Sequence, residues 1–578
     1  MNAPVTVRAG RDERPLFRTP EPPVDNQRLQ QSQFRLMVVM LLFIFATLVI
    51  AARLVQLCLF GDRGDRGPAA ISVPRGEILD RNGMTLATTI EAWTLAVNPQ
   101  AILGDRNRIA ARLAVLLPQR SEDEYRRILW SNRKFVYLGR HVLPSVVAQV
   151  HAIGEPAIME LREARRLYPQ ASVGGHVLGY AQIVARRSGG EKLTGIGVER
   201  YFDDDLRAGK TVQLSIDTRV QAALDSEIGK RVAETQAAGG AGVVLDVDTG
   251  EVLALASLPE INPNAPLASI DDIPDKVTLS TYELGSTFKM ITFANAIESG
   301  VITDWSKTWD VTHPLHVGGF TIHDDEPMHR WITTPEIMTF SSNIGTAQIA
   351  DILGPERTQA MFRKLNFYDR TSIQLRERGL PQVPHYWART TVMTTAYGHG
   401  IAVTPLHLAV AYAALANGGI LHPATLLKHQ PGTPVPGRRV IAQSTSDKIR
   451  ELMRLVVLQG TGTNADAPGL RVGGKTGTAE KVEGRGYDHH ANITVFAAVF
   501  PMDHPRYVVL TLLDDAKGSK ATAGWATAGW MTAPLTKRII KRIGPLLGVR
   551  PDDSRDIDVS DLMPLILEKK VPGKNVVE

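Results

Sequence analysis

The sequence predicts an α+β catalytic domain, preceded by one membrane-spanning helix and a mixed α/β domain. Three observations support this prediction: an uncharged run near the N-terminus, strand patterns at both ends of the segment 231–544, and helical patterns between them. When the first and last strands of a domain enclose its helices, they favour one antiparallel sheet flanked by those helices. A chain of 578 residues has room for about three to four domains.

The composition is that of a globular protein. Hydrophobic residues make up 44% of the chain and charged residues 22%. The net charge of +5 is spread along the sequence, so it gives no reason to propose a nucleic acid as a partner. Cys58 is the only cysteine, which excludes an intramolecular disulfide and the class of disulfide-rich secreted scaffolds.

The first predicted element is a transmembrane helix at 36–58. Residues 36–52, LMVVMLLFIFATLVIAA, carry no charge and span about 26 Å as a helix. The apolar run resumes after Arg53, whose side chain can extend towards the polar interface. A cleaved signal peptide is the alternative, but such peptides usually have a shorter apolar core and a clear cleavage site with small residues.

The residues before this helix predict a cytoplasmic tail at 1–35. The tail carries six arginines, and basic residues favour the cytoplasmic side, although Arg53, Arg63 and Arg66 make the asymmetry modest. Everything after the helix would then be exported. The many prolines and polar residues of 1–33 predict disorder.

Residues 59–230 are predicted to form a non-catalytic mixed α/β domain. The segment begins with a linker at 61–70, and Asn82-Gly83 is a strong turn signal between two extended runs. Beyond residue 100, amphipathic helical patterns alternate with short strands, and no group of residues resembles a catalytic cluster.

The segment 231–544 shows clearer patterns, and 545–578 is predicted to be a C-terminal tail. Two apolar runs around Asp248-Thr249-Gly250 predict a β-hairpin, and apolar residues at helical spacing predict a helix after Ser286. The remaining predictions are helices at 334–353, 356–364, 404–416 and 528–543, and strands at 471–482, 493–500 and 507–513.

Three short motifs stand in a fixed order in this segment. They are S-x-x-K at Ser286–Lys289, S-x-N at Ser341–Asn343 and K-T-G at Lys475–Gly477. Each motif alone is weak, and S-x-x-K also occurs by chance at Ser131–Lys134, in a charged stretch without partner motifs. The ordered set of three is typical of penicillin-binding proteins and class A β-lactamases.

The residue types in these motifs suit acyl transfer. A serine hydroxyl needs a neighbouring base, and Ser286 and Lys289 share one face if a helix begins there. A lysine acts as a base only when its pKa is lowered, which burial and a second cation such as Lys475 would both achieve. Free N–H groups at the start of the helix would favour negative charge on an attacked carbonyl.

The second and third motifs can bind a peptide substrate. Ser341 and Asn343 alternate, so both can face one cleft, where a hydroxyl passes a proton and an amide holds a substrate amide. Lys475 and Thr476 on a strand edge would supply a cation and a hydroxyl to a substrate carboxylate. The backbone of that edge could pair with an extended peptide.

Residues 36–543 closely resemble class B penicillin-binding proteins, the membrane-anchored D,D-transpeptidases that cross-link bacterial peptidoglycan. The resemblance covers the anchor, P-R-G-E-I-L-D-R-N-G from Pro74, D-x-x-T-G-E-V-L-A from Asp246 and V-T-P-L from Val403. It also covers Y-E-L-G-S-T-F-K, F-S-S-N-I-G and G-K-T-G-T-A around the three motifs.

The resemblance implies a role for each motif residue. Ser286 would be the acylated nucleophile, Lys289 its base, Ser341 a proton relay, and Asn343 would bind the donor peptide. The groups that would bind the terminal carboxylate of D-alanine or of a β-lactam belong to the third motif and the residue after it: Lys475, Thr476, Gly477 and Thr478. The oxyanion hole would consist of the N–H groups of Ser286 and Thr478.

Within the family, the chain looks most like the division-specific, septal branch. Glu283 before the nucleophile, the S-S-N form of the second motif, and Glu480-Lys481 after the third motif favour this branch. Leu284 departs from the family pattern, which usually has proline there. The elongation-specific branch is the main alternative.

The resemblance also implies partners and a location. The substrates would be peptidoglycan stem peptides, and β-lactams would bind the same site. The protein partners would be a polytopic SEDS-family glycosyltransferase (FtsW-type) and other division proteins, which the domain 59–230 would contact as a pedestal. The chain would cross the inner membrane once at the division septum, with the catalytic domain in the periplasm.

No metal or organic cofactor is expected from the resemblance. His323, Asp324, Asp325, Glu326 and His329 resemble a metal-binding set, but in the family this segment is the loop that leads to the second motif. The two histidines 489–490 after the third motif are likewise predicted to be loop residues.

Two further alternatives share the motifs. A β-lactamase is normally smaller, lacks a pedestal and needs a group that activates a deacylating water, for which the sequence offers no convincing candidate. A membrane-anchored β-lactam sensor usually has several transmembrane segments and a cytoplasmic signalling domain, whereas this chain has one predicted segment and a short tail.

Overall fold

The computed structural model describes residues 26–60, 74–185, 191–265, 273–483 and 486–567. The chain divides into two units, 1–72 and 73–578. The predicted linker at 61–70 and the first 25 residues of the predicted tail lie outside the described residues.

The first unit contains helix α1 (Asn26–Phe60). Its stretch Phe34–Ala52 is long and apolar enough to cross a membrane, and its side chains are exposed. The helix begins ten residues before the predicted start, so the prediction of disorder was wrong for 26–33. Gln, Arg and Leu in this stretch favour helix, and extending an existing helix avoids the cost of nucleation.

The N-terminal domain of the second unit combines short helices with a five-stranded sheet. The elements in chain order are β1 (Ile78–Leu79), β2 (Thr85–Val97), α2 (Arg106–Leu116), α3 (Glu122–Leu129), β3 (Val136–Val142), α4 (Pro144–His151), β4 (Ile158–Leu167), α5 (Gly175–Leu178), β5 (Tyr180–Ala185), β6 (Glu191–Ile196), α6 (Gly197–Tyr201), α7 (Asp203–Arg207) and β7 (Val212–Gln213). The sheet order is β3-β2-β1-β7, and β4 pairs with β2. Strands β1 and β7 are parallel and the other pairs in this sheet are antiparallel.

A buried carboxylate ties this domain together. Glu199 on α6 is fully buried and accepts hydrogen bonds from Arg75 Nε and Arg166 Nε, both at 2.7 Å. Tyr168 Oη donates to the same carboxylate at 3.2 Å, and Arg75 also pairs with Asp203 at 2.5 Å. The segment before β1, strand β4 and helix α6 are therefore joined through one compensated charge.

The C-terminal domain is built around a second five-stranded sheet. Its elements in chain order are α8 (Thr218–Thr235), β8 (Gly239–Asp246), β9 (Val252–Leu258), α9 (Lys289–Glu298), β10 (Thr308–Asp310), β11 (Leu315–Val317), β12 (Phe320–Ile322), β13 (Trp331–Thr333), α10 (Thr334–Thr339), α11 (Asn343–Lys364), α12 (Arg389–Thr395), α13 (Pro405–Ala416), β14 (Ile420–Leu421), β15 (Arg438–Arg439), α14 (Gln443–Gln459), β16 (Gly473–Glu483), β17 (Gly486–Phe500), β18 (Tyr507–Asp514) and α15 (Ala528–Leu546).

The sheet order is β16-β17-β18-β8-β9, and all neighbours are antiparallel. Early and late strands thus form one sheet, which confirms the predicted α+β fold and the predicted hairpin β8–β9. Helices α8 and α15 pack on one face, and α13 and α14 pack on the other. Every residue of β18 is buried because helices cover both faces.

Helix α13 lies at the centre of the domain. All twelve of its residues are buried, as expected for a helix that is apolar all round. Thr404 caps its N-terminus by accepting from the N–H of His407, and Pro405 occupies the first turn, where no N–H is needed.

The helices around the second motif differ from the prediction. A single helix was expected at 334–353, but the chain breaks between α10 and α11, where Ser341 has a positive φ of 64°. The helices predicted on either side of 354–355 instead form α11, which kinks at Gly354 (φ 74°) before Pro355. Gly tolerates this conformation, and a proline inside a helix removes a backbone hydrogen bond.

Two late segments are more ordered than the sequence suggested. The predicted loop at 489–490 is part of β17, because the β16–β17 hairpin extends to Glu483 and Gly486; that prediction was wrong. Within the predicted tail, α15 continues to Leu546, and residues 551–567 pack against the domain, with Leu562 only 1% exposed. We call residues 551–567 the C-terminal strap.

Candidate active site

The first motif forms a tight turn that leads into α9. Residues Gly285–Phe288 form a 3₁₀ turn, and α9 begins at Lys289. Positions i and i+3 eclipse in a 3₁₀ turn, so Ser286 and Lys289 lie on one side. Gly285 has φ 53°, a conformation that favours glycine. The half-buried Ser286 is thus presented at the start of a buried helix.

Helix α13 stabilises this turn by a hydrogen bond. The hydroxyl of Tyr412 on α13 is fully buried and donates to Thr287 O at 2.8 Å. Thr287 Oγ1 in turn donates to Leu284 O at 2.8 Å. Leu284, which departs from the family's proline, is itself fully buried. Both hydrogen bonds fix the backbone on either side of Ser286.

Two lysines converge on the second motif. Lys289 and Lys475 are both fully buried, and both ammonium groups donate to Ser341 Oγ, at 3.1 Å and 2.9 Å. Lys289 also donates to Ser341 O, and Lys475 to Thr476 O at 3.1 Å. Because both lone pairs of Ser341 Oγ accept from a lysine, its own proton remains available to a third group.

This arrangement lowers the pKa of both amines. Burial lowers the pKa of Lys289 to about 8, against the smaller opposing effects of Asp324 and Asp325. Burial and the nearby charge of Lys289 lower the pKa of Lys475 well below its ordinary value. Two cations that share one hydroxyl disfavour full protonation of the pair, so the site can hold a neutral amine near neutral pH.

The second motif lies in the joint between α10 and α11. The left-handed backbone of Ser341 costs about 1–3 kcal/mol and persists only where the surroundings impose it. Ser342 caps α11 by accepting from Gly345 N at 3.0 Å. Asn343 is the first residue of α11, and its Nδ2 donates to His323 O at 3.0 Å.

A buried aspartate anchors this joint. Asp324 is 8% exposed and accepts from Ser342 Oγ at 2.8 Å and from Ile344 N at 2.9 Å. Two members of the candidate metal-binding set, Asp324 and the backbone of His323, therefore contact the second motif. Among the described residues, no three His, Cys, Asp or Glu side chains converge in a way that could hold a metal ion.

The third motif lies on β16, at the edge of the sheet next to the nucleophile's turn. A Cβ at Gly477 would lie 2.3 Å from Leu284 O, and one at Gly285 would lie 2.5 Å from Thr478 O. Both glycines are therefore needed for the close approach of the two backbones. Thr476 and Thr478 share one face of the strand.

Two contacts hold the threonines of this face. Thr476 Oγ1 lies 2.7 Å from Thr461 Oγ1, and Ala528 N at the start of α15 donates to Thr478 Oγ1 at 3.1 Å. The ammonium of Lys475 contacts Ser341 Oγ and Thr476 Oγ1, and its role towards a substrate carboxylate stays a prediction. Of these two threonines, Thr476 is buried at 7% exposure and Thr478 is half-buried.

A further polar cluster lies just before the nucleophile. Glu283 is 9% exposed, and its carboxylate accepts from Gly400 N at 2.9 Å and from Tyr487 Oη at 3.2 Å. His399 Nδ1 lies 3.4 Å from the same carboxylate. Burial and the charge of Glu283 raise the pKa of Tyr487 to about 12, so its hydroxyl remains a donor.

The structure brings the three motifs together: Lys289 and Lys475 share Ser341 Oγ, and the turn of Ser286 lies against the backbone of Gly477 and Thr478. Sequence reasoning missed Thr461, Tyr412 and the anchoring role of Asp324. Asp324 could have been suspected, since it is an acidic residue in the loop before the second motif. The length of the loop did not show which motif residue it would contact. Thr461 and Tyr412 lie far from the motifs in sequence and carry no pattern of their own.

Comparison with known proteins agrees with this geometry. Residues 240–540 match the family model of the penicillin-binding protein transpeptidase domain, and residues 70–244 match that of the penicillin-binding protein dimerisation domain. The two matches together cover most of the chain and overlap at residues 240–244.

Relatives with curated names cover nearly the whole chain. "Probable peptidoglycan D,D-transpeptidase FtsI" of Caulobacter vibrioides is 36% identical over 90% of this chain and 89% of its own length. "Peptidoglycan D,D-transpeptidase FtsI" of Escherichia coli is 29% identical over 85% of this chain and 87% of its own length.

A solved structure shares the fold. Penicillin-binding protein 3 of Mycobacterium tuberculosis, solved in complex with aztreonam, has a TM-score of 0.64 and 26% identity. The match covers 84% of this chain and 98% of that one. Fold, motif geometry and the two family models agree with the sequence-based resemblance: this chain belongs to the class B penicillin-binding proteins.

Proposed function

We propose that the chain is a serine-type peptidoglycan D,D-transpeptidase that cross-links stem peptides during septal cell-wall synthesis. The observation that carries this proposal is the convergence of Lys289 and Lys475 on Ser341 Oγ beside the turn of Ser286. A buried amine with a pKa of about 8 can accept the proton of a serine hydroxyl near neutral pH.

The first half of the reaction forms an ester. Ser286 Oγ attacks the carbonyl carbon of the penultimate D-alanine while Lys289 takes the hydroxyl proton. The peptide bond to the terminal D-alanine then breaks, and the leaving nitrogen receives a proton through Ser341, whose own hydrogen is free for donation. Terminal D-alanine departs as the free amino acid.

The second half returns the enzyme. An amine on a neighbouring stem peptide attacks the ester carbonyl and loses one proton to Lys289, the bond to Ser286 Oγ breaks, and Lys289 returns that proton to the serine. The net result exchanges one peptide bond for another and needs no oxidant or external energy source. The N–H groups of Ser286 and Thr478 are the proposed donors to the oxyanion in both halves.

The remaining motif residues would bind the donor peptide. Asn343 lies at the start of α11 and would hold a substrate amide. Thr476, Gly477 and Thr478 would bind the terminal carboxylate along the edge of β16, with the amine of Lys475 behind them. A β-lactam would acylate Ser286 in the same way, through opening of its ring amide.

The location and partners extend this proposal. Helix α1 would anchor the chain in the bacterial inner membrane by a single pass, with the N-terminus in the cytoplasm and the catalytic domain in the periplasm. The N-terminal domain would contact a SEDS-family glycosyltransferase (FtsW-type) and other division proteins. The support is the kinship with relatives named FtsI.

The chemical proposal is tested by acylation. The full chain in detergent is incubated with a penicillin, and its intact mass and the modified peptide are determined. We expect a stable one-to-one adduct on Ser286 that is absent from Ser286→Ala. No adduct would overturn the proposal, and rapid turnover of the drug would favour a β-lactamase.

The elongation-specific alternative is tested in cells. A fluorescent fusion of the full chain should gather at the division site, and depletion should give filaments with blocked septa. A dispersed lateral signal with rounded cells on depletion would instead identify the elongation-specific class.

A further inference from the structure

The C-terminal strap runs along α14 and reaches the helix before the second motif. Val559, Leu562 and Ile566 are at most 9% exposed and so anchor the strap in the domain. Helix α14 itself packs against both α10 and β16. The strap is therefore in contact with a helix that packs against elements of both the second and the third motif.

The start of the strap connects to the strand of the third motif. Asp556 accepts from Arg454 Nε at 2.7 Å and from its Nη2 at 2.6 Å. Arg454 is 6% exposed and donates through Nη1 to Val472 O at 2.8 Å, and also pairs with Asp466. Val472 directly precedes β16, so the strap's carboxylate helps to fix the guanidinium that holds the beginning of that strand.

The end of the strap connects to the second motif. Leu567 N donates to Glu336 Oε1 at 2.8 Å, and Thr333 Oγ1 donates to Leu565 O at 2.8 Å. Glu336 is fully buried on α10, where it also accepts from Thr333 N and from both Nη atoms of Arg330. Helix α10 ends two residues before Ser341.

These contacts lie outside the catalytic machinery but flank both motifs that meet at Ser341. The short joint 340–342 carries the strained backbone of Ser341, and α10 is one of the two helices that hold this joint. A strained conformation persists only when its surroundings fix it. A shift of about 1 Å in α10 would change the distances from Ser341 Oγ to both lysines, which is enough to impair catalysis.

We propose that the C-terminal strap is a positioning element for acyl transfer, in which the N–H of Leu567 and the carboxylate of Asp556 hold the second motif in register with the third. This inference rests on the proposed acyl transfer at Ser286. The strap groups do not touch substrate; they act through Glu336 and Arg454.

The sharpest test changes a single hydrogen-bond donor. Leu567→Pro removes the N–H that Glu336 accepts, whereas Leu567→Ala keeps it, and the Leu567 side chain is 67% exposed. Ile566 has φ −86° and ψ 95°, an extended conformation that a following proline tolerates. The pair of variants therefore isolates the hydrogen bond.

The measurement is acylation of the full chain in detergent by a penicillin, with the rate constant at saturation separated from the affinity of the non-covalent complex. We expect Leu567→Pro to lower the saturating rate constant about threefold to tenfold with little change in affinity, and Leu567→Ala to match the unchanged chain. Asp556→Asn should lower the rate in the same way, with exposed Asp553→Asn as its control.

Two truncations complete the test. Removal of 568–578 should leave acylation unchanged, and removal of 551–578 should lower the saturating rate constant by tenfold or more per folded molecule. If only the unfolding temperature falls while the rate constant of the folded molecules stays within twofold, the strap stabilises the domain without positioning the motif, and the inference is wrong. If the truncated chain does not fold, the Leu567 pair still decides.

Failure of the proposed function would look different. In that case the unaltered chain itself would form no adduct on Ser286, whereas failure of the strap inference leaves the adduct intact and the variants equal to the controls.

Discussion

The two domains of the second unit bury charged groups in different ways. Glu199 in the N-terminal domain and Lys289 in the C-terminal domain are both fully buried. Two arginines and a tyrosine at 2.7–3.2 Å surround Glu199. The amine of Lys289 instead donates to Ser341, next to the amine of Lys475. Burial lowers its pKa, and the charges of Asp324 and Asp325 raise that pKa by smaller amounts.

This difference in pairing distinguishes a buried group with a structural role, Glu199, from one with a functional role, Lys289. A buried charge that is paired on several sides acts as a cross-link between the elements that carry its partners. Incomplete compensation moves the pKa towards neutral pH, which a proton-transfer group needs. The first kind should therefore govern stability and the second should govern rate.

The largest effect is expected for Lys289→Met. This change removes the amine but keeps an unbranched side chain, so the saturating rate of penicillin acylation should fall by about 10²–10⁴ because the serine loses its base. Exposed Lys230→Met serves as the control for loss of a positive charge. Acylation of Lys289→Met at more than a tenth of the normal rate would remove Lys289 from the mechanism.

The reverse pattern is expected for Glu199→Gln. Loss of the charge removes the anionic partner of Arg166 and leaves Arg75 with Asp203 alone, which should cost about 3–5 kcal/mol of the free energy of unfolding. Acylation per folded molecule should stay within twofold. Asp205→Asn, which breaks only an exposed pair with Lys210, should leave the unfolding temperature unchanged. A normal unfolding temperature with slowed acylation would contradict the claim that Glu199 governs stability and not the reaction rate.

The acylation rate should also depend on pH. Only the neutral amine of Lys289 accepts a proton, and its fraction grows as the pH rises towards the lowered pKa of about 8. The rate should therefore rise roughly tenfold per pH unit below the midpoint and level off above it. Chemical hydrolysis of the drug is corrected with Ser286→Ala, and a rate that stays flat from pH 6 to 9 would contradict a base role.

The smallest effect concerns a buried base outside the motifs. Burial lowers the pKa of His407 to about 4, so the unfolded chain binds its proton more readily. The stability that follows is fully present above about pH 6.5 and is lost as the pH falls towards 4; between pH 7 and pH 5 this loss is about 2 kcal/mol.

His407→Asn should flatten this dependence of the unfolding free energy, while exposed His313→Asn should not. Acylation at pH 7 should be unaffected by either change. Slower acylation by His407→Asn, with an unchanged free energy of unfolding, would show that His407 contributes to the reaction and not only to stability.

The sequence predicted the motif residues and the sheet but not the arrangement that makes them work. Order and spacing identified Ser286, Ser341 and Lys475, because motif residues are local in sequence, and the strand runs carried their own hydrophobic pattern. The positive φ of Ser341, the Thr461–Thr476 contact and the path of the strap depend on partners more than ten residues away, which local propensity does not encode.

The most direct test of the account is the protonation of the two buried lysines. The full chain with ¹³Cε-labelled lysine is titrated by NMR, and Lys289→Met assigns the affected resonance. The account predicts a lysine signal in the unaltered chain that titrates near or below pH 8 and is lost in the variant. If every lysine signal titrates at its ordinary value near 10.4, Lys289 stays charged at neutral pH and the proposed base is wrong.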